Sequence, residues 1–196
     1  HGVWLTDGDI RKLGKTRTNV CHCPSSNSKL ASGIARVPEM LKKHVNVALG
    51  CDGGPSNNTY DMIREMKFAA CLHKVRLLDP MTMPAETVLE MATIGGAQAI
   101  GMQDKLGTLE PGKLADIVLV NLDSVHMVPN NSHISDLVYA GCGPDVDTVI
   151  IDGKMVMQQR NVKTLNEREI IQKARERAGS LIERTGLEQT TLSSHC

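Results

Sequence analysis

The 196 residues carry 22 Lys plus Arg and 22 Asp plus Glu, a net charge of zero spread along the chain, which excludes the basic stripe of a nucleic-acid-binding surface. The longest apolar runs, ADIVLV and DTVII with their flanks, are of strand length and far below a membrane span. The opening HGVWLTDGDI has neither the basic nor the apolar region of a secretory signal, so the six cysteines read as reduced thiols in a cytoplasmic protein, not as a disulfide framework.

One Phe, one Trp and two Tyr against ten Met predict an aliphatic, methionine-filled core. The chain opens at His1, without a methionine and at what reads as the end of a strand, so an upstream part is expected. Thr6 and Asp9 make a capping-box start for a helix through about Lys15, with Ile10 and Leu13 on one face. TNVCHC then reads as a strand, PSSNSKLASG as a loop, and IARVPEMLKKH as a helix interrupted or begun by Pro38. VNVALG is the next strand and TYDMIREMKFAACLHKVRL the next helix, with Met62, Met66, Ala69, Ala70 and His73 at three-to-four spacing. Continuous apolar strands alternating with helices are the pattern of parallel βα units covered on both faces.

PAETVLEMATIGGAQAIG predicts one further helix between Pro84 and Gly101. Beyond it, two short segments flank the EPGK turn, and DTVIIDGKMVMQQRNV is a hairpin turning at Asp152-Gly153, so a small antiparallel unit is expected. Asn166 and Glu169 cap a last helix with Ile170, Ala174, Ala178 and Leu181 on one face, followed by a loose polar tail, LEQTTLSSHC.

The stretch LGCDGGPSNN, residues 49–58, ends an apolar strand on Asp52. A carboxylate at such a tip is costly to bury unless a positive group, such as a metal ion, meets it. His1, His22 and Asp52 each sit at the carboxyl end of a predicted strand, and in a parallel sheet those ends share one rim, where α/β folds carry their sites. Other readings stay open: His1 as an exposed terminal residue, His22 as a hydrogen-bonded structural histidine, Asp52 as a turn cap. Cys21 and Cys23 alternate to one side of their strand with His22 opposite, and they lack the second Cys pair of a thiolate zinc site. His44 and His73 are expected in helices, at the surface or satisfied. Two histidines and an aspartate on one rim suit metal-activated hydrolysis, since zinc lowers the pKa of a bound water to about 7 and a carboxylate can carry its proton to the leaving group.

HGVWLTDGDI, HCPSSNSKLASGIA, LGCDGGPSNN with DMIREMKFAA, ATIGGAQAIG and GTLEPGKLADIVLV resemble, in this order, the C-terminal half of amidohydrolase-superfamily aminohydrolases. The branch is that of methylthioadenosine/S-adenosylhomocysteine deaminase and the chlorotriazine chlorohydrolases. The resemblance implies an α/β fold, the C-terminal portion of a TIM-type (β/α)8 barrel plus part of a small β-sandwich. Residues 1–104 would hold the sixth to eighth strands, ending at His1, His22 and Asp52, and their helices; residues 105–164 the share of the sandwich; residues 165–196 the terminal helix and tail. It further implies that Asp52 is a metal ligand and proton shuttle, that His1 is the catalytic histidine facing the attacking water, and that Asn57 and Asn58 shape the substrate side. Ser26 and Asn27 would be structural. The metal would be Zn²⁺ or Fe²⁺, with the His-x-His pair, a further histidine and a glutamate expected upstream of His1. Cys23, where many adenosine-type relatives have asparagine, leans toward guanine or triazine relatives.

The expected function is therefore a metal-dependent deaminase acting on an amino-substituted purine nucleoside or related ring, present as a fragment inactive by itself. Its parent is expected to be homo-oligomeric, to take a small-molecule substrate and to engage neither nucleic acid nor membrane. The alternatives are a chlorohydrolase acting on a triazine-like ring, a truncated non-catalytic interaction protein, and a thiolate zinc or redox module built on Cys21 and Cys23. An isolated part-barrel would expose strand edges and its inner face, which predicts aggregation or a partner.

Overall fold

The structure is a computed structural model and describes residues 1–185; the tail LEQTTLSSHC, with Cys196, lies outside the described residues. After an irregular start, Thr6 caps α1 (Asp7–Thr16) through the expected reciprocal pair, its Oγ1 accepting from the Asp9 N–H while Asp9 Oδ2 accepts from the Thr6 N–H. Two βα units follow, β1 (Val20–His22) with α2 (Pro24–Lys29) and α3 (Val37–Leu41), then β2 (Val47–Leu49) with α4 (Gly54–Asn57) and α5 (Met62–Leu77). Next come α6 (Ala85–Ala92) and α7 (Ile94–Ala99), then β3 (Ile117–Val120), α8 (His133–Tyr139), a 3-10 turn over Gly143–Asp145, β4 (Val146–Ile151), β5 (Lys154–Gln158), β6 (Asn161–Val162) and α9 (Glu167–Thr185).

β1 and β2 pair in parallel with Val20 opposite Val47 and His22 opposite Leu49, and the Gly50 N–H extends the ladder by donating to the His22 carbonyl at 3.0 Å. β3 to β6 form a separate antiparallel sheet in sequence order. Asp152 and Gly153, both at positive φ, turn β4 into β5 as the sequence predicts. The core lies on the α3, α5 and α6 side of the parallel pair, where Val37, Met40, Val47, Ala69, Ala70 and Val88 are fully buried. Methionine fills it as the composition predicts, with Met66, Met83 and Met91 also inside.

Five local expectations change. PSSNSKLASG is not a loop throughout: Pro24, at the first helical position where its missing N–H costs nothing, starts α2. The helix expected between Pro84 and Gly101 breaks at Thr93. α7 thereby leaves the α6 axis and lies on β2, with the Asn46 side chain donating to the Gly95 carbonyl, and a Cβ at Gly95 would come within 3.2 Å of the Val47 carbonyl oxygen. The segment before EPGK is a series of turns, because Gly107, at φ +91, packs where a Cβ would lie 2.7 Å from the Ile94 Cα. His44 is not in a helix but ends a turn after α3 at φ +57. No residue of α9 is buried, so the stripe that includes Ile170 and Leu181 faces solvent.

His73 is not at the surface. It is fully buried against the equally buried His22, and the Nε2 atoms of the two rings lie 3.2 Å apart, so one imidazole donates to the other and fixes α5 behind β1. The accepting ring of such a bond must be neutral. Burial, then the neighbouring ring, pushes His22 down to about 3, and burial, then Arg76, pushes His73 down to about 4.

Two outcomes follow from this packing. Both rings stay neutral in the fold but bind protons in the unfolded chain below pH ~6.5. Their contribution is therefore fully present above that pH and is lost as the pH falls toward about 4 and then 3. Urea unfolding across that range should show the decline, and the His22→Gln/His73→Gln double variant should flatten it. Met40, which is fully buried, should cost about 2–5 kcal/mol when truncated to alanine, read from the same unfolding curves at neutral pH.

Candidate active site

The parallel pairing of β1 and β2 brings two consecutive loops to one rim. Asp52 lies three residues past the end of β2, and its backbone adopts φ +63, a left-handed conformation that non-glycine residues seldom hold. That departure turns the carboxylate back toward the first residues of α2, where Oδ2 accepts from the Ser26 hydroxyl at 2.6 Å and Oδ1 from the Gly53 N–H at 2.7 Å. These two donors, the Ser26 hydroxyl foremost, hold the Asp52 carboxyl below the ordinary carboxylate range. The group is thus a fixed, ionised acceptor at an open rim.

His1 arrives at the same place from its own segment. Its Nδ1 lies 2.7 Å from Asn27 Oδ1, so Nδ1–H donates to that amide and the neutral ring presents Nε2 on its other side. Nε2 stands 3.6 Å from Asp52 Oδ2, wider than a hydrogen bond and suited to two groups that face one shared atom. Ser26 and Asn27, buried on adjacent positions of α2, therefore orient one candidate catalytic group each. His22, the third strand-end residue of the sequence pattern, points the other way into the His73 pair and takes no part in the rim.

Asn57 ends the short helix α4 that follows, and Asn58 caps it. The Asn57 side-chain amide donates to the Cys51 carbonyl at 2.7 Å and to Glu65 Oε1 at 2.8 Å, while its oxygen accepts from the Thr59 N–H and hydroxyl. Asn58, at φ +70, accepts from the Lys29 ammonium, which also donates to the Pro55 carbonyl at 2.7 Å. Both asparagines thus set the shape of the loop from within. Glu65, which sequence reasoning passed over, is fully buried and accepts from Asn57 and from the Ser25 N–H at 3.3 Å, joining the two loops from below. Its signal was present: Glu65 falls on the apolar stripe of α5 between Met62 and Met66.

Cys21 and Cys23 project to one side with their sulfurs 3.9 Å apart, and Gly50 is required beside them because a Cβ there would come within 2.5 Å of the Cys21 sulfur. The two thiols share one weak hydrogen bond, which pushes Cys21 down and, with burial, pushes Cys23 up. A catalytic zinc takes about three protein ligands. The ionised Asp52 carboxylate fits one ligand of such a site, with the His1 ring beside it. Among the described residues, the one cluster of three such groups is elsewhere, at His126, Cys142 and Asp145. An apolar groove of about 990 Å³ bounded by Met62, Leu89, Ile100, Leu106 and Ile117 reaches none of His1, Asp52, Asn57 or Asn58.

The chain is 48% identical to 5-methylthioadenosine/S-adenosylhomocysteine deaminase of Syntrophomonas wolfei over 93% of its own length and 42% of that protein. It superposes with a TM-score of 0.90 and 37% identity on a zinc-bound adenosine deaminase from Xanthomonas campestris, covering 92% of this chain and 41% of that one. A zinc complex of atrazine chlorohydrolase from Arthrobacter aurescens TC1 gives a TM-score of 0.82 and 25% identity, over 90% and 39% of the two chains. The lean toward triazine relatives drawn from Cys23 is therefore not matched by the identities. The chain spans about two fifths of the length of these relatives. The profile of the amidohydrolase family matches residues 1–156, most of the sequence, and the chain belongs to that family.

Proposed function

We propose that this chain supplies the His1 and Asp52 side of the active site of a metal-dependent aminohydrolase that releases ammonia from an adenosine-derived nucleoside. The observation that carries the reading is the convergence of an oriented imidazole and an ionised carboxylate on one rim, each held by its own residue of α2. In the same reading, residues 1–104 are the last βα units of a (β/α)8 barrel, residues 105–164 a share of a β-sandwich built around β3 to β6, and residues 165–196 a terminal helix and tail. The substrate class follows the relatives: proteins 48% identical carry the methylthioadenosine/S-adenosylhomocysteine deaminase name.

Deamination needs a proton taken from an attacking water and a proton given to the departing amine. Asp52, fixed by Ser26 and the Gly53 N–H, has an oxygen directed to the open rim and performs both transfers. His1, its Nδ1–H held by Asn27, presents Nε2 as the acceptor of a hydrogen bond from the attacking water and so orients that water beside Asp52. Asn57 and Asn58 hold the turn that borders the substrate, and Glu65 fixes that turn against α2. Asp52, as one ligand, and further ligands outside this chain would hold Zn²⁺ or Fe²⁺, which when bound makes water acidic enough to react at neutral pH.

The test is an assay of the protein that contains this chain, following ammonia release from methylthioadenosine, S-adenosylhomocysteine and adenosine, with a chlorotriazine in parallel. Turnover of the nucleosides that falls at least ~10³-fold in Asp52→Asn supports the reading. Turnover of the triazine alone, or nucleoside turnover indifferent to Asp52→Asn, overturns it.

Ser26→Ala removes the main donor that lowers the Asp52 carboxyl. Asp52 is ionised above its pKa, so the acid limb of the kcat/KM profile should move to higher pH in that variant. An unmoved limb would mean that Asp52 is not the group that titrates in catalysis.

A further inference from the structure

A second cluster lies away from the rim, between the segment that follows β3 and the 3-10 turn that precedes β4. His126 Nε2 is 2.9 Å from Asp145 Oδ2, the Cys142 sulfur is 3.2 Å from the same oxygen, and the sulfur is 3.9 Å from the same nitrogen. Three different donor atoms thus face one point. A hydrolytic triad is not built this way, because its histidine uses one ring nitrogen for the nucleophile and the other for the carboxylate. Here Nε2 alone faces both partners.

The triangle has the dimensions of a metal site. Zinc bonds of about 2.0–2.1 Å to nitrogen and oxygen and about 2.3 Å to sulfur at tetrahedral angles separate ligand atoms by roughly 3.4–3.6 Å. Two edges, 2.9 and 3.2 Å, are hydrogen bonds to Asp145 Oδ2 that would open by about 0.5 Å or less, and the third, 3.9 Å, would close by about 0.3 Å, so the three groups reach that range with small shifts. The site is also built in advance. Asp145 is buried, its carbonyl accepts from the Asn121 N–H, its Oδ1 accepts from the Ser124 hydroxyl, and its Oδ2 accepts from the Cys142 N–H. Arg160 grips the turn by donating to the Gly143 and Val146 carbonyls, and the Gly143 N–H donates to Asp61, the cap of α5.

We propose that His126, Cys142 and Asp145 form a second metal centre, distinct from the Asp52 rim, that takes a zinc-class dication with solvent as its fourth ligand. Thiolate with imidazole selects zinc-like ions over calcium or magnesium. Binding balances in protons and charge: the Cys142 thiol releases one proton, the His126 proton moves from Nε2 to the other ring nitrogen, and one thiolate plus one carboxylate neutralise the dication, so no net charge is left in the turn. Burial would raise the Asp145 carboxyl, but hydrogen bonds from His126, Cys142 and Ser124 outweigh it and hold the pKa at about 2, so the carboxylate is ready as a ligand. The Cys142 thiol is raised because its proton sits on that carboxylate, which a dication would displace. Occupancy would tie the segment after β3 to the turn that anchors α5.

Cobalt(II) is the probe, because a thiolate ligand gives it a near-ultraviolet charge-transfer band that nitrogen and oxygen ligands do not. The metal-stripped full-length protein should develop that band on titration. Asp52→Asn and the Cys21→Ser/Cys23→Ser double variant should keep it. Cys142→Ser should lose it, and His126→Gln, at a half-exposed position that leaves the core intact, should weaken cobalt binding at least tenfold. Failure of the band to form in the unsubstituted protein, or its survival in Cys142→Ser, overturns the proposal. Because the Asp52 rim is tested separately by turnover, either site can fail without the other.

Discussion

The hydrogen bond from Ser26 to Asp52 is the contact on which the rim depends, and it exists only because β1 and β2 run in parallel register. With His22 opposite Leu49, the chain leaves both strands on the same side, and the first turn of α2 falls within reach of the residue that follows β2. Asp52 must then take a left-handed backbone conformation to present its carboxylate there. Such conformations persist where the surroundings over-determine them. Here they do so through Ser26, the Gly53 N–H and the carbonyl of Cys51, which is pinned by Asn57. A one-residue slip of the ladder would turn His22 away from His73 and remove Ser26 from Asp52 together.

Beneath the rim, two buried polar groups do what apolar packing cannot. The His22–His73 pair joins the strand to α5 through one neutral hydrogen bond, and Glu65 on the same helix joins the α2 and α4 loops through Ser25 and Asn57. α5 thus carries a stripe of methionine and alanine for the core and, about two turns apart, Glu65, which joins the two loops bearing the candidate chemistry, and His73, which holds β1. Each histidine of the pair leaves its Nδ1 without a partner, so the stiffest part of this network is the fully paired Glu65–Asn57 link. That rigidity is what a site assembled from loop residues requires.

The legible parts of the sequence were those with a local physical cause. Thr6 and Asp9 announce α1, alternating βα patterning announces the parallel pair, and Asp152-Gly153 announces the hairpin. Asp52 stood out because a charge at an apolar strand tip asks for a partner. The rest depended on tertiary neighbours. Nothing local distinguishes His22 from His1 as a strand-end histidine; the difference is that α5 places His73 behind one and α2 places Asn27 beside the other. The break between α6 and α7 arises from the approach of Gly95 to β2, and α8 went unread although Ser132 caps it.

The second cluster shows the same division more sharply. His126, Cys142 and Asp145 have no motif spacing, since the histidine follows one sheet strand and the other two precede the next. Antiparallel pairing of β3 with β4 is what joins them, setting the Asn121 N–H on the Asp145 carbonyl and so aligning the two segments. The antiparallel sheet thus presents an ionised carboxylate where the chain enters β4 beside β3, while the parallel pair presents another at its rim. Through Asp61, which caps α5 and accepts from Gly143, the two places share a single helix. Changes in the turn at Gly143 bear on the start of α5, and therefore on Glu65 one turn further along, before they reach the loop that holds Asp52.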